Sequence, residues 1–171
     1  MKSVLLLFYL IAGILQAQIP SNALKSNGVY LSSEDFMDGK LTLPFNKEDR
    51  LKFKENYRLV LGVKTPDTTF TFLYDEIWGY RKGGIDWRIF NDEFYQLAYA
   101  EKICIYTFPG SPTLYFSKSL TTPLHELTRK NLIAVYNSNA FFVEKINALP
   151  LTKSVYKWDR EKKRYRFIDW L

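Results

Sequence analysis

The sequence predicts an α+β fold, an antiparallel β-meander whose sheet either stays open and curled or closes into a small barrel, covered by C-terminal helices. Three observations predict it. Short apolar runs, several with period-two alternation, follow one another over residues 57–116 and are joined by turn-forming residues. None of the joins has room for a parallel crossover, which takes about a dozen residues or more. Beyond Phe116 the apolar spacing lengthens to a helical period, first through Leu124, Leu127, Leu132 and Val135, then through Phe142, Ile146 and Leu149.

The chain opens with Lys2, an apolar run over residues 4–15 and the small Ala17. A basic start, a short apolar core and a small residue at the cut form the plan of a secretory signal peptide. Residues 1–17 therefore read as a leader, with Gln18 as the mature N-terminus. The run falls short of the roughly 20 apolar residues that cross a bilayer, so no stable transmembrane segment is expected once the leader is removed. The expected location is secreted or periplasmic. Residues 18–171 read as a single α+β domain, because about 154 residues suffice for one hydrophobic core.

Residues 18–27 are polar and suit an extended lead-in; Gly28-Val-Tyr-Leu31 suits a short strand. Ser32 or Ser33 can cap the turn after it, since a hydroxyl accepts a hydrogen bond from an otherwise orphaned backbone N–H. Glu34 and Asp35 then sit favourably in the first turn, Phe36 and Met37 give it something to bury, and Asp38-Gly39 stops it. Residues 44–55 are mixed and charged, and read as a loop or irregular edge. Residues 57–63 form the next expected strand and Lys64-Thr-Pro-Asp67 the turn after it. Phe70, Phe72 and Tyr74 alternate with Thr69, Thr71 and Leu73, so their rings project from one face.

Residues 77–81 continue as a strand, and Lys82-Gly-Gly84 supplies a hairpin turn because glycine carries no Cβ penalty at positive φ. On the return arm Ile85, Trp87 and Ile89 share a face opposite Asp86, Arg88 and Phe90. Asn91-Asp92 marks another turn. Strands are expected over residues 94–99, 103–108 and 113–116, separated by Ala100-Glu101 and Pro109-Gly-Ser-Pro112. A sheet apolar on both faces needs two covers, or must curl to enclose one of them. Thr122 can cap a covering helix with Pro123 at its first position, where a missing N–H costs nothing. Asn137-Ser-Asn139 interrupts, and a second helix ends at Pro150. Val155-Tyr-Lys-Trp158 and residues 165–170 read as a terminal hairpin around a charged turn.

Catalytic chemistry is thinly represented. His125 is the single histidine, placed in the first turn of the expected helix, which removes multi-histidine metal sites. Cys104 is the single cysteine, so no internal disulfide framework exists, and its apolar flanks mark a buried small side chain. No phosphate loop, nucleophile elbow or calcium loop appears. No cofactor, metal ligand or catalytic residue is therefore assigned. A carboxylate-dependent glycan hydrolase remains an alternative, since Asp75, Glu76, Asp86, Asp92 and Glu93 lie near strand ends in an aromatic region. Formal charge is +6, falling to +5 without Lys2. The late cluster Lys153, Lys157, Arg160, Lys162, Lys163, Arg164 and Arg166 could attract an anionic partner, although Asp159, Glu161 and Asp169 interrupt it.

Thirteen Phe, twelve Tyr and four Trp give the chain ample core material and a means of binding. Trp78, Tyr80 and Trp87, on the two arms around the glycine turn, are the binding candidates; exposed rings there could stack on a glycan or grip a peptide. Asn27-Gly-Val-Tyr-Leu-Ser-Ser-Glu-Asp-Phe-Met-Asp-Gly-Lys40, Ile77-Trp-Gly-Tyr80 and the leader ending Leu-Gln-Ala-Gln resemble small exported proteins of Bacteroidota that have no assigned activity. The resemblance implies an envelope or extracellular location and brings no mechanism. The expected function is a non-catalytic protein- or glycan-binding module. A structural partner in an envelope assembly is a further alternative, and export argues against a nucleic-acid role.

Overall fold

The computed structural model describes residues 26–55, 58–150 and 155–171. The expected leader, its cleavage site and most of the lead-in lie outside these residues, as do Tyr57 and Lys153. The elements in order are β1 (Asn27–Tyr30), α1 (Ser33–Met37), β2 (Leu43–Phe45), β3 (Arg50–Glu55), β4 (Arg58–Lys64), β5 (Thr69–Leu73), a 3₁₀ turn (Tyr74–Glu76), β6 (Gly79–Lys82), β7 (Ile85–Phe90), β8 (Glu93–Ala100), β9 (Cys104–Thr107), β10 (Leu114–Ser117), β11 (His125–Glu126), α2 (Arg129–Val135), α3 (Ala140–Asn147), β12 (Trp158–Asp159), β13 (Arg164–Tyr165) and a closing 3₁₀ turn (Arg166–Trp170).

An eight-stranded antiparallel sheet, in the order β11-β10-β9-β8-β7-β6-β1-β2, dominates the fold. No sheet closes into a barrel, so the open alternative holds. The meander is also not continuous from residue 57: β3, β4 and β5 form a separate three-stranded sheet, while β1 docks against β6 and brings β2 with it. Of the two readings of residues 44–55, the irregular edge holds: they supply β2 and β3, each at the edge of its sheet, with a register shift between Lys52 and Lys54. Mixed charge hid these strands because each has one solvated side.

Local chemistry explains the smaller elements. Ser32 is the cap of α1, its Oγ accepting from the Asp35 N–H at 3.1 Å; Phe36 is buried while Met37 stays exposed. Gly83 and Gly84 both adopt positive φ, as do Asn91 and Asp92, so each pair makes the tight turn that joins its two arms. Asn139 caps α3 by accepting from the Phe142 N–H at 3.0 Å, which points Phe142 and Ile146 into the core.

The expected helix at Pro123 is corrected. Residues 125–126 instead pair with β10, and the Leu127 N–H donates to the Leu114 carbonyl at 2.7 Å. The open edge of β10 satisfies backbone groups that a helix would have satisfied internally. The helix α2 begins only at Arg129, capped by Thr128 rather than Thr122, and Leu132 is its fully buried residue. The terminal hairpin survives as the two-residue ladder β12–β13, but residues 166–170 coil into a 3₁₀ turn that buries Phe167 and Ile168.

Both faces of the large sheet are covered. The face carrying Val29, Tyr80, Trp87 and Ile89 packs on Leu61 and Val63 of the smaller sheet; further along, Ile103, Ile105 and Phe116 pack under α2, α3 and the final 3₁₀ turn. The opposite face, carrying Tyr30, Tyr106 and Cys104, is covered by Phe36 of α1 and by Leu120.

Candidate functional site

Register builds the site. The Gly83-Gly84 turn aligns Lys82 with Ile85 and therefore Tyr80 with Trp87. The Gly83 N–H donates to the Asn27 Oδ1 at 2.8 Å, tying the turn to β1. Cross-strand neighbours share a face, and the Tyr80 and Trp87 rings stack at 6.0 Å with only 8° between their planes. Three further rings gather round them. Phe53 lies 6.1 Å and Phe94 5.8 Å from Tyr80, Phe53 meets Phe94 edge-to-face at 4.9 Å, and Tyr74 meets Phe94 at 5.0 Å. The Tyr74 hydroxyl donates to the Phe53 carbonyl at 2.9 Å, tying the 3₁₀ turn that leaves β5 to β3.

Tyr80 is the buried centre of this cluster, only 5% exposed, so it supports the surface rather than forming it. Trp87 and Phe94 are half-buried, and Phe53 is 39% exposed. Gln96 stands opposite Trp87 on the neighbouring strand and brings an amide to the same face. Phe53 lies in the mixed, charged segment that reads as a loop or irregular edge, where nothing singles it out. Phe94 and Tyr74 were visible as strand aromatics, but nothing local places them against Tyr80.

Trp78 is elsewhere. It precedes β6 and lies on the opposite face of the sheet, where its ring stacks on Phe36 at 4.6 Å and meets Tyr30 edge-on at 6.2 Å. Its indole N–H donates to the Leu120 carbonyl at 3.0 Å. The three candidates thus divide: Tyr80 and Trp87 come together, and Trp78 serves the packing beneath α1.

Two of the acidic candidates have local partners. Asp86 accepts from the Tyr30 hydroxyl at 3.0 Å and from Arg81 at 2.9 and 3.1 Å; burial pushes its carboxyl up despite the guanidinium. Glu76 accepts the Leu73 N–H at 2.9 Å. Asp75, Asp92 and Glu93 are exposed. His125 sits in a strand rather than a helical turn, half-buried with its ring 5.7 Å from Phe116. Cys104 is a free, buried thiol whose ionisation is pushed up by burial. Among the described residues no group of three or more His, Cys, Asp and Glu is placed to hold a metal ion. No helix among them is long and apolar enough to cross a membrane.

Burial shifts the tyrosines in a way that can be measured. Burial pushes Tyr74 up to about 12, helped by Asp92 and Glu93; burial does the same for Tyr30, helped by Asp86, and for Tyr106 beside Cys104. Tyr80 is raised further by burial alone in the main. Unfolded phenols ionise near 10.0, so the folded state holds these protons more tightly. The associated stability is complete below pH 10 and is lost as pH rises through about 12. Tyrosinate absorbance of these rings should therefore appear together with loss of circular dichroism; ionisation of every tyrosine near pH 10 in a fully folded protein would contradict this packing.

No family model, curated protein or solved structure matches the chain.

Proposed function

We propose that the protein is an exported, non-catalytic binding module, secreted or periplasmic, that captures a glycan on the aromatic face formed by Trp87 and Phe53. The observation that carries the reading is this pair of partly exposed rings flanking the buried Tyr80. A stacked, supported indole loses little freedom when it receives a sugar face. The Gln96 amide on the same face supplies a donor and an acceptor for hydroxyl groups. Export is supported by Lys2, the apolar run over residues 4–15 and Ala17.

The test is titration with soluble peptidoglycan fragments and neutral oligosaccharides, followed by tryptophan fluorescence. Trp87→Ala and Phe53→Ala should each weaken binding by about tenfold or more, equivalent to roughly 1.4 kcal/mol. Trp78→Ala, on the other face, should lower stability and leave affinity unchanged. Equal losses from Trp78→Ala and Trp87→Ala would remove this site. Capture of a peptide library in place of sugars would move the reading to protein recognition. Release of new reducing ends by the wild-type protein would establish hydrolysis instead.

A further inference from the structure

The last seventeen residues carry a second surface of different chemistry. Between Val155 and Leu171 stand six cations, Lys157, Arg160, Lys162, Lys163, Arg164 and Arg166, against three acids, Asp159, Glu161 and Asp169. Two of the acids have local tasks, and Glu161 is exposed. Asp169 takes Lys162 at 2.7 Å and Arg164 at 2.5 Å. Asp159 accepts the Glu161 and Lys162 N–H groups at 3.1 Å, which shapes the hairpin turn, and lies 3.8 Å from Arg166. Lys157, Arg160 and Lys163 are left exposed, with no acidic partner within 4.0 Å among the described residues.

Trp158 follows Lys157 in the chain, precedes Arg160 and Lys163 on the same hairpin, and is 46% exposed. It is not a loose side chain. Its ring meets Tyr165 edge-to-face at 5.0 Å, Tyr165 stacks on Phe167 at 6.1 Å, and Phe167 is 1% exposed in the core beneath α2 and α3. A chain of rings therefore holds an exposed indole against the body of the protein, on a hairpin that also carries the three exposed cations.

We propose that this hairpin docks on an anionic lipid bilayer, with the Trp158 indole at headgroup level and Lys157, Arg160 and Lys163 against the lipid phosphates. Charge complementarity selects an anionic partner. The indole, an apolar body with one polar N–H, suits the boundary between headgroups and acyl chains. The cations of residues 155–171 that are exposed and free of an acidic partner among the described residues are Lys157, Arg160 and Lys163, which bind an anionic phosphate more strongly than neutral sugar hydroxyls. Charge and aromatic area together fit a headgroup layer better than a sugar chain. The surface is distinct from the Trp87 face and does not depend on it.

The experiment is co-sedimentation of the protein with phosphatidylcholine vesicles, with and without phosphatidylglycerol. Binding should require phosphatidylglycerol and should fall as salt is raised, because exposed charges are screened. Neutralising all three cations, Lys157→Gln with Arg160→Gln and Lys163→Gln, should weaken binding by about two orders of magnitude. Trp158→Ala should weaken it at every salt concentration, and Trp158→Phe should restore part of the loss. All these side chains are exposed, so unchanged thermal unfolding checks that each variant is folded. Equal binding to phosphatidylcholine alone, or no vesicle binding, would overturn the proposal. Binding to dextran sulfate without vesicle binding would overturn it in favour of a soluble polyanion.

Discussion

Gly79→Ala should unfold the protein or cost it roughly 3 kcal/mol or more, the range of severe overpacking and backbone conflict. A Cβ on Gly79 would land on the Trp87 carbonyl oxygen, with the Trp87 carbonyl carbon at 3.0 Å and the Arg88 Cα at 3.1 Å. These are backbone atoms of the paired strand, so no rotamer change relieves the clash. The strands would have to separate where the Ile89 N–H donates to the Trp78 carbonyl at 2.9 Å. Denaturant unfolding with Gly83→Ala as comparison gives the check. Gly83 has open space around its missing Cβ and carries only the strain of φ 62°, about 1 kcal/mol. Equal stability of the two variants would show that β6 and β7 do not approach this closely.

Arg88→Ala should cost about 3 kcal/mol, through an unfilled cavity and an acceptor left without its donor. Arg88 is 4% exposed, and no carboxylate lies within 4.0 Å of it among the described residues. Its charge is held instead by neutral oxygens: it donates to the Tyr106 hydroxyl at 3.1 Å, Ser117 Oγ at 3.3 Å and the Thr122 carbonyl at 3.0 Å. The rings of Phe90 and Tyr106 lie 5.2 and 5.7 Å from the guanidinium carbon. The Ser117 hydroxyl donates in turn to the Ser119 carbonyl at 2.6 Å, so Arg88 ties residues 117–122 to the sheet. Arg88→Met keeps the bulk and removes the desolvated charge, and should cost only about 1–2 kcal/mol. In both variants amide exchange should accelerate over residues 118–124 before it does elsewhere. Unchanged exchange there would show that the packing of Leu120 and Leu124 and the Trp78 bond to the Leu120 carbonyl hold the segment without Arg88.

What the sequence determined by itself was set by forces acting over a few residues. Ser32 announced its cap because the hydroxyl reaches an N–H three residues on, and Asn137-Ser-Asn139 announced the break between the two helices. Gly83-Gly84 and Asn91-Asp92 announced tight turns because few other residues tolerate positive φ. The alternation through residues 85–90 placed Trp87 and Ile89 opposite Arg88 correctly, since side-chain direction is a property of a single strand.

Only the tertiary structure decided which strands pair across long separations. β1 enters between β2 and β6, residues 58–73 leave the meander for a second sheet, and residues 125–127 join β10 instead of starting a helix. In each case the choice turns on which distant edge offers partners for backbone groups, and no local pattern records that. The candidate site divides in the same way. Trp78 and Trp87 look alike in the chain, yet the sheet runs between them: one packs under α1 and the other stacks on Tyr80 beside Phe53. Aromatic residues were legible as chemistry; exposure was not, because burial of a ring depends on whichever surface arrives to cover it.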